Sequence, residues 1–126
     1  MLNDPEDIAV LVVEDEAFIR MVAVDVLADI GVPLYEAGDA DEALDVLGAH
    51  PEIAVLFTDI NMPGSMDGLS LAQRVHQLRP GIGIVVTSGK HRLLDAEVPD
   101  HGVFLPKPYR ADQLVHAVGK QLHRAS

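Results

Sequence analysis

Residues 8–13 read Ile-Ala-Val-Leu-Val-Val, and the acidic residues 14–16, Glu-Asp-Glu, follow them directly. An uninterrupted apolar run of this length is typical of a strand that is covered on both faces. Residues 53–58 repeat the pattern, since they are almost uniformly apolar and lead straight into Asp59. Strands of this kind belong to parallel sheets buried between layers of helices, so these two runs decide the fold class.

Helical patterns alternate with further apolar runs along the rest of the chain. Residues 17–30 predict a helix whose buried stripe consists of Ile19, Val22, Ala23, Val26, Leu27 and Ile30. Gly31 is a typical helix stop, and Asp39 is a candidate N-cap for the next helix. The same reasoning predicts two later helices, at 68–78 and 110–124, and three more strands, at 33–37, 82–87 and 103–105.

The predicted order of elements defines the architecture. Strands alternate with helices, so the sheet should be parallel with helices on both faces. Five strands fit a flavodoxin-like, doubly wound α/β sheet with strand order 2-1-3-4-5. The crossover between the fourth and fifth strands, residues 89–102, offers few apolar residues and contains Pro99. We therefore expect a short or irregular fourth helix of one or two turns there.

The composition excludes several classes of protein. With 126 residues the chain should form one domain, preceded by an acidic extension at residues 1–7. Its formal net charge of -11 argues against direct nucleic-acid binding, which depends on Lys and Arg neutralising phosphates. The sequence contains no cysteine, no apolar stretch that could span a membrane and no signal-peptide pattern at its N-terminus. We expect a cytoplasmic protein without membrane or nucleic-acid partners.

Polar side chains follow the strands at the edge where ligands bind in such sheets. The residues in question are Glu14, Asp15, Asp59, Thr87 and Lys107. One lysine cannot neutralise three carboxylates, whereas a hard divalent cation can, and oxygen-only ligands favour Mg²⁺ over zinc. The lysine and the hydroxyl would then hold phosphate oxygens, and a carboxylate could itself be the nucleophile. These positions therefore predict a site for phosphoryl transfer.

The motifs at these positions resemble those of two-component response-regulator receiver domains, including the chemotaxis regulators. The motifs that carry the resemblance are Val12-Val13-Glu14-Asp15-Glu16, Thr58-Asp59-Ile60-Asn61-Met62-Pro63, Met66-Asp67-Gly68-Leu69, Val86-Thr87-Ser88-Gly89 and Leu105-Pro106-Lys107-Pro108-Tyr109. The resemblance extends from residue 8 to the last helix. Because the chain stops there, we expect a stand-alone receiver over residues 1–126 that acts by contact with an unknown downstream protein.

The resemblance implies a role for each site residue. Asp59 would accept a phosphoryl group from a phosphohistidine on a histidine kinase or a histidine phosphotransferase. Glu14 and Asp15 would hold Mg²⁺ directly or through water, and Asp59 and the main-chain carbonyl of Asn61 would complete its protein ligands. Lys107 would pair with Asp59 and then with the phosphate, Thr87 would move to bond the phosphate, and the Lys107–Pro108 peptide bond would be cis. Catalysis would be limited to the domain's own phosphorylation and dephosphorylation, so we do not expect an enzyme.

Two features depart from the family's usual motifs. Phe104 stands three residues before Lys107, where the family more often has a tyrosine that swings into the space left by the threonine. It is either a switch residue with altered coupling or an ordinary core aromatic of the fifth strand. The loop at residues 62–68 is one residue longer than usual, and Gly64 could absorb the insertion with a positive φ.

Phe18 and Met21 lie off the predicted buried stripe of the first helix, just past the acidic residues. An exposed apolar pair beside a site can anchor a partner. We expect the pair to form part of the docking surface for the phosphodonor's helix. Incidental exposure of two apolar side chains is the alternative.

Two other functions compete with a phosphoacceptor receiver. A haloacid-dehalogenase-like phosphatase also uses an aspartate nucleophile with Mg²⁺. Its motif has a second aspartate two residues after the nucleophile, where this chain has Asn61. A pseudo-receiver would keep the fold as a scaffold without being phosphorylated. The complete set of acidic, hydroxyl and lysine residues argues against that alternative.

Overall fold

The apolar runs form five strands and the helical patterns form four helices in the computed structural model, which describes residues 8–125. The strands are β1 Ala9–Val13, β2 Leu34–Ala37, β3 Ile53–Asp59, β4 Gly83–Ser88 and β5 Val103–Pro106. The helices are α1 Ala17–Leu27, α2 Ala40–Ala49, α3 Gly68–Leu78 and α4 Ala111–Ala125. The predicted acidic extension at residues 1–7 lies outside the described residues.

All neighbouring strands pair in parallel, and their order is β2-β1-β3-β4-β5. The predicted flavodoxin-like sheet is therefore confirmed. Successive side chains of a strand point to opposite faces, so β1 contributes to two separate apolar clusters. One cluster lies on the side of α2 and α3, and the other lies on the side of α1 and α4. Covering both faces explains why the strands are uniformly apolar.

The first helix differs from its prediction in length and in its buried face. It ends at Leu27, and Ala28–Ile30 forms a 3₁₀ turn before Gly31, whose φ of 86° ends the helical segment. Val22 was predicted to be buried, but it is 45% exposed. That prediction was wrong because α1 buries Ala23 and Leu27, which leaves Val22 on the solvent side.

The crossover between β4 and β5 is irregular, as predicted. Within residues 89–102 the structure has a single 3₁₀ turn, Asp95–Glu97, so the last helix of the chain is α4. This segment has no buried helical face, and side-chain hydrogen bonds attach it to the rest of the fold instead. The Asp95 carboxylate accepts a hydrogen bond from the Phe104 main-chain N–H at 2.9 Å, and the Asp100 carboxylate accepts one from the Gly81 N–H at 2.6 Å.

The start of α3 packs directly against the end of β3. Asp67 caps the helix by accepting a hydrogen bond from the Ser70 N–H at 2.8 Å, and the Gly68 N–H donates to the Ile60 carbonyl at 2.9 Å. A Cβ atom on Gly68 would overlap the carbonyl oxygen of Asp59. Glycine is therefore required at this close approach, which fixes the backbone that carries Asp59.

None of the helices within residues 8–125 is both long and apolar enough to cross a membrane.

Candidate functional site

Three carboxylates converge at the carboxyl ends of β1 and β3, which are neighbours in the sheet. Glu14, Asp15 and Asp59 each offer an oxygen, and these oxygens all lie within 4.8 Å of one another. Glu14 and Asp59 are only 4% and 7% exposed, whereas Asp15 is exposed to solvent. The predicted convergence of these three residues is therefore present in the fold, with one side open to solvent.

Lys107 connects two of these carboxylates from the end of β5. Its Nζ lies 3.1 Å from Oδ2 of Asp59 and 3.2 Å from Oε1 of Glu14. The main-chain N–H of Lys107 donates to the Ser88 carbonyl at 3.0 Å, and the Lys107–Pro108 peptide bond is cis, as predicted. Burial alone would lower the pKa of Lys107, but the hydrogen bonds and negative charges of Asp59 and Glu14 outweigh burial and raise it.

The environment of Glu14 raises the pKa of its carboxyl group. Burial raises its pKa, the negative charge of Asp59 adds to that effect, and the Glu16 N–H and Lys107 oppose it, so that the pKa is about 6. Glu14 is therefore still mostly ionised at pH 7. Three carboxylates against one ammonium group leave an excess of two negative charges. An all-oxygen donor set with that charge fits a hard divalent cation such as Mg²⁺.

Thr87 and Asn61 lie beside the acidic cluster on the neighbouring chain segments. Asp59 and Thr87 are partners in the register between β3 and β4. The Thr87 hydroxyl faces β5, where it donates to the Leu105 carbonyl at 2.6 Å. The main-chain N–H of Asn61 donates to Oδ1 of Asp59 at 3.3 Å. Both residues are thus within the site, and Thr87 has its hydroxyl directed away from the carboxylates.

Phe104 lies half-buried on β5, paired in register with Val86, and packs against the cluster on the α2 and α3 side. Its role as a switch stays a prediction.

The longer loop after Asp59 has the expected glycine conformation, since φ of Gly64 is 102°.

The exposed apolar pair on α1 is also where the sequence placed it. Phe18 is 70% exposed and Met21 is 58% exposed. Ile19, next to Phe18, lines a cavity of about 450 Å³ together with Gly89, Lys107, Pro108 and Tyr109. The helix that carries the exposed pair thus also contributes, through Ile19, to a depression that reaches the site lysine.

Sequence reasoning missed one polar network, which lies at the carboxyl end of β4 beside the site. The Ser88 hydroxyl lies 2.8 Å from Oδ1 of Asn61 and 3.3 Å from Nδ1 of His91. It also accepts hydrogen bonds from the main-chain N–H groups of Lys90 and His91, both at 3.0 Å. The available signal was the position of Ser88, which directly follows Thr87 at the same end of β4.

Comparison with known proteins agrees with this fold and site. The model of the response regulator receiver domain family matches residues 10–119. The chemotaxis protein CheY of Bacillus subtilis (strain 168) is 29% identical over 119 residues, which cover 90% of this chain and 97% of that protein. The crystal structure of a response regulator receiver protein from Sinorhizobium medicae WSM419 superposes with a TM-score of 0.84 at 28% identity, covering 94% of this chain and 97% of that chain.

Several relatives are much longer proteins. The DNA-binding transcriptional regulator NtrC of Azospirillum brasilense is 32% identical over 117 residues, which cover 90% of this chain and 24% of that protein. The sensor histidine kinase RcsC of Escherichia coli (strain K12) is 36% identical over 90 residues, which cover 69% of this chain and 9% of the kinase. The match thus spans a small part of these relatives.

The fold and the acidic site define a receiver-type signalling module, and the chain belongs to the response regulator receiver domain family of two-component systems. Receiver domains are phosphorylated by histidine kinases, and they typically bind Mg²⁺ in an acidic pocket such as the one formed here by Glu14, Asp15 and Asp59. They are generally signalling modules rather than enzymes.

Proposed function

We propose that Asp59 accepts a phosphoryl group from a phosphohistidine on a histidine kinase or a histidine phosphotransferase, and that this event changes a surface for an unknown downstream protein. The observation that carries the proposal is the position of Lys107, whose ammonium group lies within hydrogen-bond distance of both Asp59 and Glu14. A carboxylate in a cluster of excess negative charge needs such a counter-charge to receive an anionic phosphoryl group.

In the proposed reaction a carboxylate oxygen of Asp59 attacks the phosphorus atom of the donor. An O–P bond forms, the N–P bond of phosphohistidine breaks, and the imidazole leaves with a proton from solvent. Lys107 is already placed to balance the charge on the transferred group, because it contacts Oδ2 of the nucleophilic carboxylate. The protein's contribution is mainly positioning and electrostatic stabilisation, as in other phosphoryl transfers.

Glu14, Asp15, Asp59 and the main-chain carbonyl of Asn61 are the proposed ligands of Mg²⁺. The metal ion would supply further neutralisation of the phosphoryl oxygens when it is bound. The cluster supports this role through its oxygen-only donors and through its one exposed member, Asp15, which leaves the site open to solvent.

Thr87 is proposed to report the phosphorylated state. Its hydroxyl donates to the Leu105 carbonyl in this structure, and a phosphoryl group on the neighbouring Asp59 would offer it a charged acceptor instead. Hydrogen bonds to charged acceptors are stronger than those to carbonyls, so the hydroxyl would move toward the phosphate. That movement would free space next to β5, where Phe104 is half-buried.

A small phosphodonor tests the proposal without the unknown partner. The protein is incubated with an acyl phosphate or phosphoramidate, with Mg²⁺ or with a chelator, and its intact mass is measured over time. We expect the addition of one labile phosphoryl group that requires the metal ion. Turnover of added phosphomonoesters would instead favour the haloacid-dehalogenase-like phosphatase. A protein that is neither phosphorylated nor able to hydrolyse phosphomonoesters would be a pseudo-receiver.

Phe18→Ala and Met21→Ala test the proposed docking surface. Each variant should slow phosphotransfer from the donor protein by about tenfold, since buried aromatic and apolar anchors dominate many interfaces. The rate with a small phosphodonor should stay unchanged. Leu78→Ala is the matched control, because Leu78 is 56% exposed but lies at the far end of α3. Equal transfer rates from the donor protein for all three variants and the unmodified protein would contradict the proposed surface.

A further inference from the structure

We propose that Ser88 is a positioning residue, which holds Asn61 so that the main-chain carbonyl of Asn61 stays available to Mg²⁺. Ser88 is the last residue of β4 and is fully buried next to the site. Its hydroxyl lies 2.8 Å from the side-chain Oδ1 of Asn61. The inference rests on the function proposed above, because Asn61 is one of the metal ligands in that proposal.

The number of available hydrogen bonds fixes the direction of this contact. A serine hydroxyl has one proton to donate and two lone pairs with which to accept. The main-chain N–H groups of Lys90 and His91 both donate to Oγ of Ser88 and so occupy the lone pairs. The proton is left for one of two acceptors, Oδ1 of Asn61 at 2.8 Å or Nδ1 of His91 at 3.3 Å. Asn61 is the nearer acceptor and therefore receives it.

Asn61 is thereby restrained through both its main chain and its side chain. Its main-chain N–H donates to Oδ1 of Asp59, and its side chain accepts from Ser88. A rotation of the Asn61 backbone that reorients its carbonyl would strain or break at least one of these two bonds. Ser88 thus links Asn61, the second residue after β3, to the end of β4.

The loop that begins after Asn61 makes this restraint important. Residues 62–68 include one more residue than the usual receiver motif, and the insertion is accommodated at Gly64, whose φ is 102°. A longer loop has more conformational freedom, and Asn61, which precedes this loop, would become more mobile with it. The hydrogen bond from Ser88 restricts Asn61 at that point.

Magnesium affinity, measured by isothermal titration calorimetry, tests the inference directly. Ser88→Ala and Asn61→Ala should each weaken Mg²⁺ binding by about 3- to 10-fold. This loss is smaller than the one typical for groups that hydrogen-bond to a metal-binding side chain, because the proposed ligand atom of Asn61 is its main-chain carbonyl. The double variant should lose no more than either single variant, because all three lack the same hydrogen bond. In the presence of a chelator, Asn61→Ala should unfold at nearly the same temperature as the unmodified protein. Ser88→Ala and the double variant should unfold at a lower temperature, because they also lose the acceptor of the Lys90 and His91 N–H groups. The affinity of Asn61→Ala therefore separates positioning from general destabilisation.

Two control variants sharpen the test. Ser70→Ala removes an exposed hydroxyl from α3 and should leave the affinity unchanged. His91→Ala removes the competing acceptor but keeps the Ser88–Asn61 bond, so its affinity should equal or exceed that of the unmodified protein. If Ser88→Ala impairs folding, Asn61→Ala reports the same bond from a side chain that is partly exposed.

The possible failures are distinguishable. An affinity of Ser88→Ala within about twofold of the unmodified protein, or a double variant that loses the product of both single effects, would overturn the positioning role alone. Absence of Mg²⁺ binding by the unmodified protein would overturn both this inference and the metal site of the proposed function.

Discussion

Asp59→Asn is expected to abolish phosphorylation, with the initial rate from a small phosphodonor falling at least about a hundredfold, to background. Asparagine has nearly the same size as aspartate, but its amide is not a nucleophile that can form an acyl phosphate. The variant should fold, since Lys107 keeps Glu14 as its partner at 3.2 Å and the new amide oxygen can still accept a hydrogen bond. Intact mass spectrometry over time with Mg²⁺ and the donor measures the effect.

Asp67→Asn is the matched control for this loss. It makes the same chemical change in the loop before α3, where Asp67 accepts a hydrogen bond from the Ser70 N–H. Asparagine is an equally good helix N-cap, so stability and phosphorylation should both be retained. A phosphorylation rate for Asp59→Asn equal to that of the control would remove Asp59 from the proposed role.

Gly68→Ala is expected to lower the free energy of unfolding by about 3 kcal/mol, at the upper end of the usual cost of overpacking. The added Cβ would overlap the carbonyl oxygen of Asp59, which is backbone and cannot rotate away. Either the start of α3 or the end of β3 must then shift. Because Asp59 ends β3, the change should also weaken Mg²⁺ binding and slow phosphorylation. Urea unfolding with and without the metal ion measures both effects.

Gly48→Ala provides the comparison for this variant. Gly48 is an exposed residue of α2, and a Cβ built on it meets no atom within 4 Å. Alanine is preferred to glycine inside a helix, so this substitution should raise stability by about 0.5 kcal/mol. If Gly68→Ala were as stable as Gly48→Ala, the close approach of α3 to Asp59 would not exist in solution.

The position of the site could be predicted from the sequence because it depends on few physical facts. Uniformly apolar strands that alternate with helices indicate a parallel sheet, and the carboxyl ends of parallel strands meet at one edge. Glu14 and Lys107 directly follow β1 and β5, and Asp59 is the last residue of β3. The fold places Nζ of Lys107 3.1 Å from Oδ2 of Asp59 and 3.2 Å from Oε1 of Glu14. The cis Lys107–Pro108 bond was expected only from the resemblance, and it is confirmed.

Details that depend on packing between distant residues could not be predicted. Val22 matches the helical pattern of apolar residues, but the sequence does not show how far α1 is rotated over the sheet, and the residue is 45% exposed. The direction of the Thr87 hydroxyl toward Leu105 depends on the register between β4 and β5. The contact between Ser88 and Asn61 similarly joins two strand ends that are 27 residues apart.

Locating the phosphoryl group on the chain tests the central claim most directly. After phosphorylation with a small phosphodonor and Mg²⁺, borohydride reduces an aspartyl phosphate to homoserine and releases the phosphate, which leaves a stable mass change that peptide mapping can place. We predict that the change falls on Asp59 alone and is absent when a chelator replaces the metal ion. A change on Glu14 or Asp15, or a phosphoryl group that forms equally well with the chelator, would contradict the account.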